Sequence, residues 1–252
     1  MRTERWRRRT TIAVSAVVGA VLWEIVGRHV GDAFLAPLSE TILRLLQLAV
    51  SGALLRETAD SFGLFLIGFV LATVCGIAAG LLLARVRSLR VALEDYITML
   101  YATPMVALIP FILSLFGFGF APKVLVVFLF AVFPVLYNTI EGARSIKPEL
   151  IEVARAFRSS EWALWRDVMI PYTLPYAATG IRQAIARGLV GMVAAEFFLS
   201  PSGLGQLIIV GSYNFDTAAM LAALVIIVGL GLALMQAVQH VENHLAAWRG
   251  LP

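Results

Sequence analysis

The sequence predicts an all-α membrane protein with six transmembrane helices and a polar helical hairpin between the fourth and fifth. Of the 252 residues, 60% are hydrophobic and 14% are charged, whereas soluble domains carry nearly twice that charge. Apolar runs near the ~20 residues that cross a bilayer recur along the chain. Arginine and lysine are concentrated in alternate connections between these runs, which is typical of a polytopic membrane protein.

The N-terminal segment, residues 1–9, is strongly basic and precedes the apolar run 10–27. A basic stretch before an apolar run is also a feature of signal peptides. We interpret the run as an uncleaved anchor because the topology derived below needs this crossing. Residues 1–9 are therefore predicted to be cytoplasmic.

The segment 39–55 predicts an amphipathic helix on the outer side of the membrane. Ser39 and Glu40 are suited to a helix start. The predicted apolar face contains Ile42, Leu45, Leu46 and Ala49, and the opposite face contains Arg44, Gln47 and Ser51. Treating the segment as a span would place its charges near hydrocarbon at a cost of about 3 kcal/mol each.

Five further spans are predicted after this segment. They cover residues 62–84, 97–118, 124–140, 175–198 and 218–238. Counting the anchor as the first span, the third (97–118) contains Pro104 and Pro110 and the fourth (124–140) contains Pro134. Both helices are therefore expected to be kinked. Together with the anchor, residues 10–252 form a single transmembrane domain in this interpretation.

The distribution of arginine and lysine gives the orientation. Fourteen of these residues lie on the side of the N-terminus, four lie on the other side, and two lie inside the fifth span. Basic residues are enriched in cytoplasmic connections. Both termini and the hairpin at residues 148–171 are therefore predicted to be cytoplasmic.

The hairpin 148–171 is predicted to contain two short amphipathic helices. Pro148 and Glu149 suit the first turn of the first helix, and Ser159 or Ser160 can cap the second. Apolar residues of the first helix share one face: Leu150, Ile151, Ala154 and Phe157. In the second, a stripe of Trp162, Trp165, Val168 and Met169 is predicted opposite Arg166 and Asp167.

The fifth span combines small residues with two charges. Small residues recur every three or four positions, which lets another helix approach closely: Ala177, Gly180, Ala184, Gly188, Gly191 and Ala195. Arg182 and Arg187 lie on the same helix, and an intramembrane charge needs a partner or water. They either line an anion path or hold the fold together, and the structural interpretation is favoured. Glu196 is interpreted as a solvated or bridging acid.

No catalytic, metal or cofactor site is predicted on this chain. The phosphate-binding pattern GxxxxGK[ST] does not occur, and neither Lys123 nor Lys147 follows a glycine. His240 and His244 lie one helical turn apart without further ligands. Cys75 is the only cysteine. No basic stripe with interleaved aromatic residues indicates nucleic-acid binding.

The hairpin carries a resemblance to a known family. The cytoplasmic EAA signature of ABC importer permeases has Glu-Ala-Ala, a glycine four residues later and, after nine more, Ile-x-Leu-Pro. This chain keeps that spacing with Glu152, Val153 and Ala154, then Arg158, then Val168, Ile170 and Pro171. Arg158 departs from the glycine, which usually supplies the turn between two helices.

The wider resemblance runs from about Leu35 to the last span and is closest to the nitrate, sulfonate, taurine and bicarbonate permeases. It includes the stretches ATPMVALIPFILSLFGFG and IPYTLPYAATGIRQAIARGLVGMVAAEFF. The resemblance implies an inner-membrane permease that pairs with a second copy, two cytoplasmic ATP-binding subunits and an extracytoplasmic substrate-binding protein. ATP would bind to the partner subunits.

The resemblance also assigns residues. The expected surface for ATPase coupling consists of Glu152, Val153, Ala154, Phe157, Arg158, Trp162, Val168, Ile170 and Pro171. A substrate path would involve Arg182, Arg187 and Asn138. The expected substrate is a small anion, and the alternative is a thiamine or riboflavin precursor or another small organic nutrient. A secondary transporter is the main rival class. An intramembrane enzyme would need catalytic groups within the spans, whereas all three histidines lie near span ends.

Overall fold

The computed structural model describes residues 2–31 and 34–245, and every regular element in that part of the chain is a helix. The helices are α1 (Arg2–Val30), α2 (Leu38–Val50), α3 (Ala53–Arg85), α4 (Arg87–Ala102), α5 (Ile109–Phe116), α6 (Phe120–Arg144), α7 (Pro148–Ala156), α8 (Glu161–Leu164), α9 (Ile170–Phe198), α10 (Gly203–Tyr213) and α11 (Thr217–Leu245). A 3₁₀ turn (Met105–Leu108) precedes α5, and a π-helical turn (Trp165–Met169) joins α8 to α9. The predicted all-α fold class is confirmed.

The number of spans depends on how two broken helices are counted. Four helical segments are long and apolar enough to cross a membrane: Thr10–Val30, Ala53–Arg85, Phe120–Arg144 and Thr217–Glu242. Two broken pairs also qualify: Arg87–Ala102 with Met105–Phe116, and Glu161–Phe198 with Gly203–Tyr213. Counting each pair as one span gives six, which is the predicted number.

The predicted third span is not one continuous helix. Its two halves, α4 and α5 with the 3₁₀ turn, are bent by 91° relative to each other. Thr103 and Pro104 are extended at the break, because a proline disfavours helical backbone at the residue before it. Pro110 lies in the first turn of α5, where its missing N–H costs nothing. By contrast, α6 continues as one helix through Pro134.

Contacts divide the chain into two compact units. The first contains the chain before Ser61 together with Pro201–Val228, and the second contains Ser61–Ser200 together with the chain from Gly229 onwards. In the first unit, hydrogen bonds join α1 to α2 and to the residues just before it. Trp23 Nε1 donates to Ala36 O over 3.1 Å, and the backbone N–H of Ser39 donates to Glu24 Oε2 over 2.9 Å.

The predicted apolar face of α2 is exposed in the structure. Ile42 and Leu46 are exposed by 50% and 54%, whereas Thr41 is buried. Arg44, on the opposite face, pairs through its guanidinium with the carboxylate of Asp216 at 2.6 Å. The periodicity alone could not show this pair, because Asp216 is distant in sequence. The predicted segment 39–55 also ends earlier, since Gly52 turns the chain with φ +75° and α3 begins at Ala53.

The second unit is built around the packing of α6 against α9. The small-residue stripe of α9 is buried, which confirms its predicted role in close helix approach. A Cβ added at Gly180 would lie 2.8 Å from Pro134 O, and one added at Gly191 would lie 2.8 Å from Phe130 Cγ. A second stripe was not predicted: Gly68, Gly76 and Gly80 of α3 bring that helix equally close to α6.

A buried polar group lies where α3, α6 and α9 meet. Glu196 and Ser61 are fully buried, and Ser61 Oγ donates to Glu196 Oε1 over 2.5 Å. The ammonium of Lys123, also buried, interacts electrostatically with Glu196. Glu196 is therefore a bridging acid, one of the two predicted interpretations, and it is not solvated. A buried carboxylate without such partners would be strongly unfavourable.

Candidate functional site

The first half of the hairpin 148–171 ends in a Schellman motif. The backbone N–H of Ser159 donates to Ala154 O over 3.0 Å, and that of Arg158 donates to Arg155 O over 2.9 Å. This pattern places the residue after the C-cap in the left-handed region, where glycine is usual. Arg158 occupies that position with φ +55°. The departure from the family's glycine therefore leaves the turn sharp, at the cost of backbone strain.

The second half begins at Ser160, which settles the choice between the two serines. Its Oγ accepts a hydrogen bond from the backbone N–H of Ala163 over 3.2 Å. Within the predicted stripe, Trp162 is 70% exposed and Met169 is buried; Leu164, outside the predicted stripe, is also buried. The π-helical turn explains this result, because its wider repeat brings residues five apart onto one face.

A set of apolar side chains on the hairpin remains uncovered. Val153, Phe157 and Trp162 are exposed by 54%, 82% and 70%, and we call them the hairpin face. The carboxylate of Glu152 is also exposed. Exposed apolar groups on a polar segment mark a site of interaction with a partner or a membrane surface.

The remaining residues of the expected coupling surface anchor the hairpin. Ala154, Val168 and Pro171 are half-buried, and Ile170 is 37% exposed at the first position of α9. An ion pair joins the guanidinium of Arg85, at the end of α3, to the carboxylate of Glu161. The π-helical turn then continues directly into α9. Displacement of the hairpin would therefore be transmitted to the central helix of the second unit.

The structure separates the two arginines of the fifth span. They are five residues apart and so project roughly 140° from each other around α9. Arg182 Nη1 lies 2.9 Å from Glu242 Oε2, and the same guanidinium donates to Gln239 Oε1. Arg182 thus links α9 to α11, which favours the structural interpretation for this residue. Gln239 and Glu242 lie in the last turns of α11, and the sequence alone did not indicate a role for either.

Arg187 has a different environment. Its guanidinium carbon lies 4.8 Å from the ring centroid of Tyr101, a cation–π contact. Both residues line a cavity of about 440 Å³ beside the break between α4 and α5. Tyr101 was not identified from the sequence, because only the bend brings the end of α4 to this face of α9.

Asn138 lies near the same face without lining the cavity. Its Nδ2 donates to Pro134 O over 2.8 Å and lies 3.4 Å from Gln183 Oε1. Gln183 is one helical turn from Arg187 and is exposed. The expected substrate-path residues are therefore divided. Arg187 and Asn138 lie near one face of α9, and Arg182 lies on another face, toward α11.

Helices long and apolar enough to span a membrane, with a polar hairpin continuous with the central helix, define a polytopic membrane protein. Residues 72–246 match the family described as the binding-protein-dependent transport system inner membrane component. This match covers more than half of the chain, so the chain belongs to that family. The predicted recognition is confirmed, and a secondary transporter is disfavoured.

Individual relatives agree with the family. The riboflavin transport system permease protein RibX of Chloroflexus aurantiacus is 35% identical over 205 residues, covering 81% of this chain and 76% of that protein. The putative aliphatic sulfonates transport permease protein SsuC of Bacillus subtilis is 30% identical over 240 residues, covering 94% and 87%. The putative ABC transporter permease protein MJ0413 of Methanocaldococcus jannaschii is 29% identical over 239 residues, covering 92% and 89%.

A solved structure shows the same fold. The inward-facing MetNI methionine ABC transporter contains a chain that superposes with a TM-score of 0.67 and 19% identity, over 76% of this chain and 95% of that chain. Taken with the family match, the chain is the permease subunit of an ABC importer.

Proposed function

We propose that the chain forms the substrate path of an importer driven by separate cytoplasmic ATP-binding subunits. The observation that carries the proposal is the hairpin face, three exposed apolar side chains beside the exposed carboxylate of Glu152. A partner subunit that covers this face would remove apolar surface from water. The continuity of the hairpin with α9 gives the partner's motion a route into the bundle.

The assembly proposed is a homodimer of this chain with two ATP-binding subunits and an extracytoplasmic substrate-binding protein. Both termini and the hairpin lie in the cytoplasm, and the complex belongs to the inner membrane. The arginine and lysine bias supports this orientation. The family description, which names an inner membrane component dependent on a binding protein, supports the location and the third partner.

The proposed substrate is a small anion, such as nitrate, a sulfonate including taurine, or bicarbonate. Arg187 supports an anion because it lines a cavity within the second unit, and the similarity to an aliphatic sulfonates permease agrees. The alternative is a thiamine or riboflavin precursor. Similarity to RibX and to the formylaminopyrimidine permease ThiX of Halalkalibacterium halodurans, 27% identical over 230 residues, favours that alternative.

Charge reversal on the hairpin tests the proposal. Glu152→Lys should abolish ATP-driven uptake while leaving membrane insertion unchanged, because it alters only an exposed cytoplasmic side chain. Asp95→Lys is the matched control, since it makes the same charge change at an exposed position of α4. Normal uptake by the Glu152 variant would count against the coupling role.

A further inference from the structure

The Arg187 cavity, the space of about 440 Å³ beside the break between α4 and α5, has one charged side chain in a wall of mostly apolar groups. The lining residues are Tyr101, Ala102, Thr103, Pro104, Met105, Leu129, Phe130, Phe133, Ala186, Arg187 and Val190. No acid is among these lining residues. The cavity therefore presents a net positive charge.

Arg187 is held in place by an aromatic cluster. The ring of Tyr101, beneath the guanidinium, packs against Tyr137 at a centroid distance of 5.0 Å and against Phe133 at 6.1 Å. Stacking of a planar guanidinium on an aromatic face leaves its N–H edges available to a ligand. The arrangement fixes the orientation of the cation before any ligand arrives.

The charge of Arg187 is not neutralised within the part of the chain that the structure describes. Arg182 on the same helix has Glu242 as its partner, whereas no described acid lies within ion-pair distance of Arg187. A charge within the predicted fifth span should face water or a counter-ion, because contact with hydrocarbon is unfavourable. An anion that enters the cavity would therefore gain an ion-pair partner in Arg187.

The dimensions and the wall chemistry specify the kind of anion. Sites for small organic ligands occupy about 300–1,000 Å³ and are mostly apolar with a few polar groups that fix orientation. A nitrate or bicarbonate ion is far smaller than 440 Å³ and would leave the rings of Tyr101, Phe130 and Phe133 without contact. An organic anion can pair with Arg187 and cover those rings at the same time.

We propose that the Arg187 cavity is a subsite for a small organic anion whose sulfonate or carboxylate group pairs with Arg187. Its carbon skeleton packs against Tyr101, Phe130 and Phe133. This inference rests on the proposed function, import of a small anion, and narrows it to organic anions. Two oxygens of the sulfonate or carboxylate group accept two parallel N–H bonds from the guanidinium.

Equilibrium dialysis of the purified full-length chain with radiolabelled benzenesulfonate tests the subsite. Benzenesulfonate should bind saturably. Nitrate and the neutral isostere benzenesulfonamide, at equal concentration, should each displace roughly tenfold less radiolabelled benzenesulfonate than unlabelled benzenesulfonate does. Nitrate lacks the packing against the aromatic rings, and benzenesulfonamide lacks the charge that pairs with Arg187. Arg187→Gln should weaken binding by about tenfold or more, since it removes a charge-assisted bidentate pair.

Two further variants keep the test informative if Arg187→Gln fails to fold. Tyr101→Phe retains the ring and should bind like the original chain, whereas Tyr101→Leu removes the stacking surface and should bind several-fold more weakly. Arg166→Gln is the matched control, because it removes an exposed arginine of the hairpin that pairs with Asp167. Its affinity for benzenesulfonate should be unchanged.

Absence of saturable binding, or unchanged affinity in both Arg187→Gln and Tyr101→Leu, would overturn the subsite. Equal displacement by nitrate would overturn the restriction to organic anions. None of these results bears on coupling through the hairpin, which is measured by ATP-driven uptake in the Glu152 variant. Failure of the subsite is thus distinguishable from failure of the proposed function.

Discussion

Replacing Arg158 by glycine should make the hairpin turn more stable. A non-glycine residue in the left-handed region costs about 1–2 kcal/mol, and Arg158 has φ +55°. Glycine avoids that cost but loses about 0.5–1 kcal/mol more backbone entropy on ordering. From the midpoints of these two ranges, the net gain is about 0.75 kcal/mol, which corresponds to a factor of about 3–4 in the opening equilibrium of the turn.

Amide hydrogen exchange measures this equilibrium directly. The N–H groups of Arg158 and Ser159 are protected only by the bonds to Arg155 O and Ala154 O, so they exchange when the turn opens. Exchange at residue 159 should slow by about 3–4-fold in Arg158→Gly. Phe157→Gly is the control, because Phe157 has φ −80° and glycine there relieves no strain; its exchange should become faster.

The reasoning fails if Arg158→Gly exchanges as fast as the original chain or faster. Equal acceleration in the two glycine variants would show that the turn does not hold position 158 in the left-handed region. Uptake should be retained in Arg158→Gly, because the hairpin keeps its geometry and the hairpin face is unchanged.

Two further predictions concern orientation and the role of Arg182. A reporter fused after Arg158 should be cytoplasmic and one fused at Gly52 or Ser202 should be outside, as the arginine and lysine bias requires; a periplasmic signal at residue 158 would contradict the topology. Arg182→Gln should lower the yield of folded protein, because it leaves Glu242 without its ion-pair partner, at a cost of up to about 3 kcal/mol. The double variant with Glu242→Gln should recover part of the yield, and a double variant no better than the single one would argue against this pair.

The overall architecture was predictable because hydropathy and charge bias depend on local composition. Apolar length marks helices able to cross a bilayer, and the small residues of α9, such as Gly180 and Gly191, identified the helix that packs most closely. The same local rules could not identify the partner of Arg44 on α2. An ion pair to the distant Asp216 holds Arg44 toward the protein, and sequence periodicity contains no information about such a partner.

The candidate site was only partly predictable for the same reason. The spacing of the hairpin motif located Glu152 and Arg158, but it did not predict the π-helical turn, which brings the buried Leu164 and Met169 onto one face. From the sequence, Arg182 and Arg187 received the same two alternative interpretations, an anion path or a structural role. Their separation depends on Glu242 and Tyr101, which tertiary contacts supply.

Photo-crosslinking from residue 157 tests the central claim, that the hairpin face contacts ATP-binding subunits. A photoreactive amino acid replaces Phe157, and a second version replaces Val21, an exposed residue of the first span. Residue 157 should form an adduct with the ATP-binding subunit in the assembled transporter, and residue 21 should not. Adducts of residue 157 with lipid alone would show a hairpin lying on the membrane surface and would contradict the account.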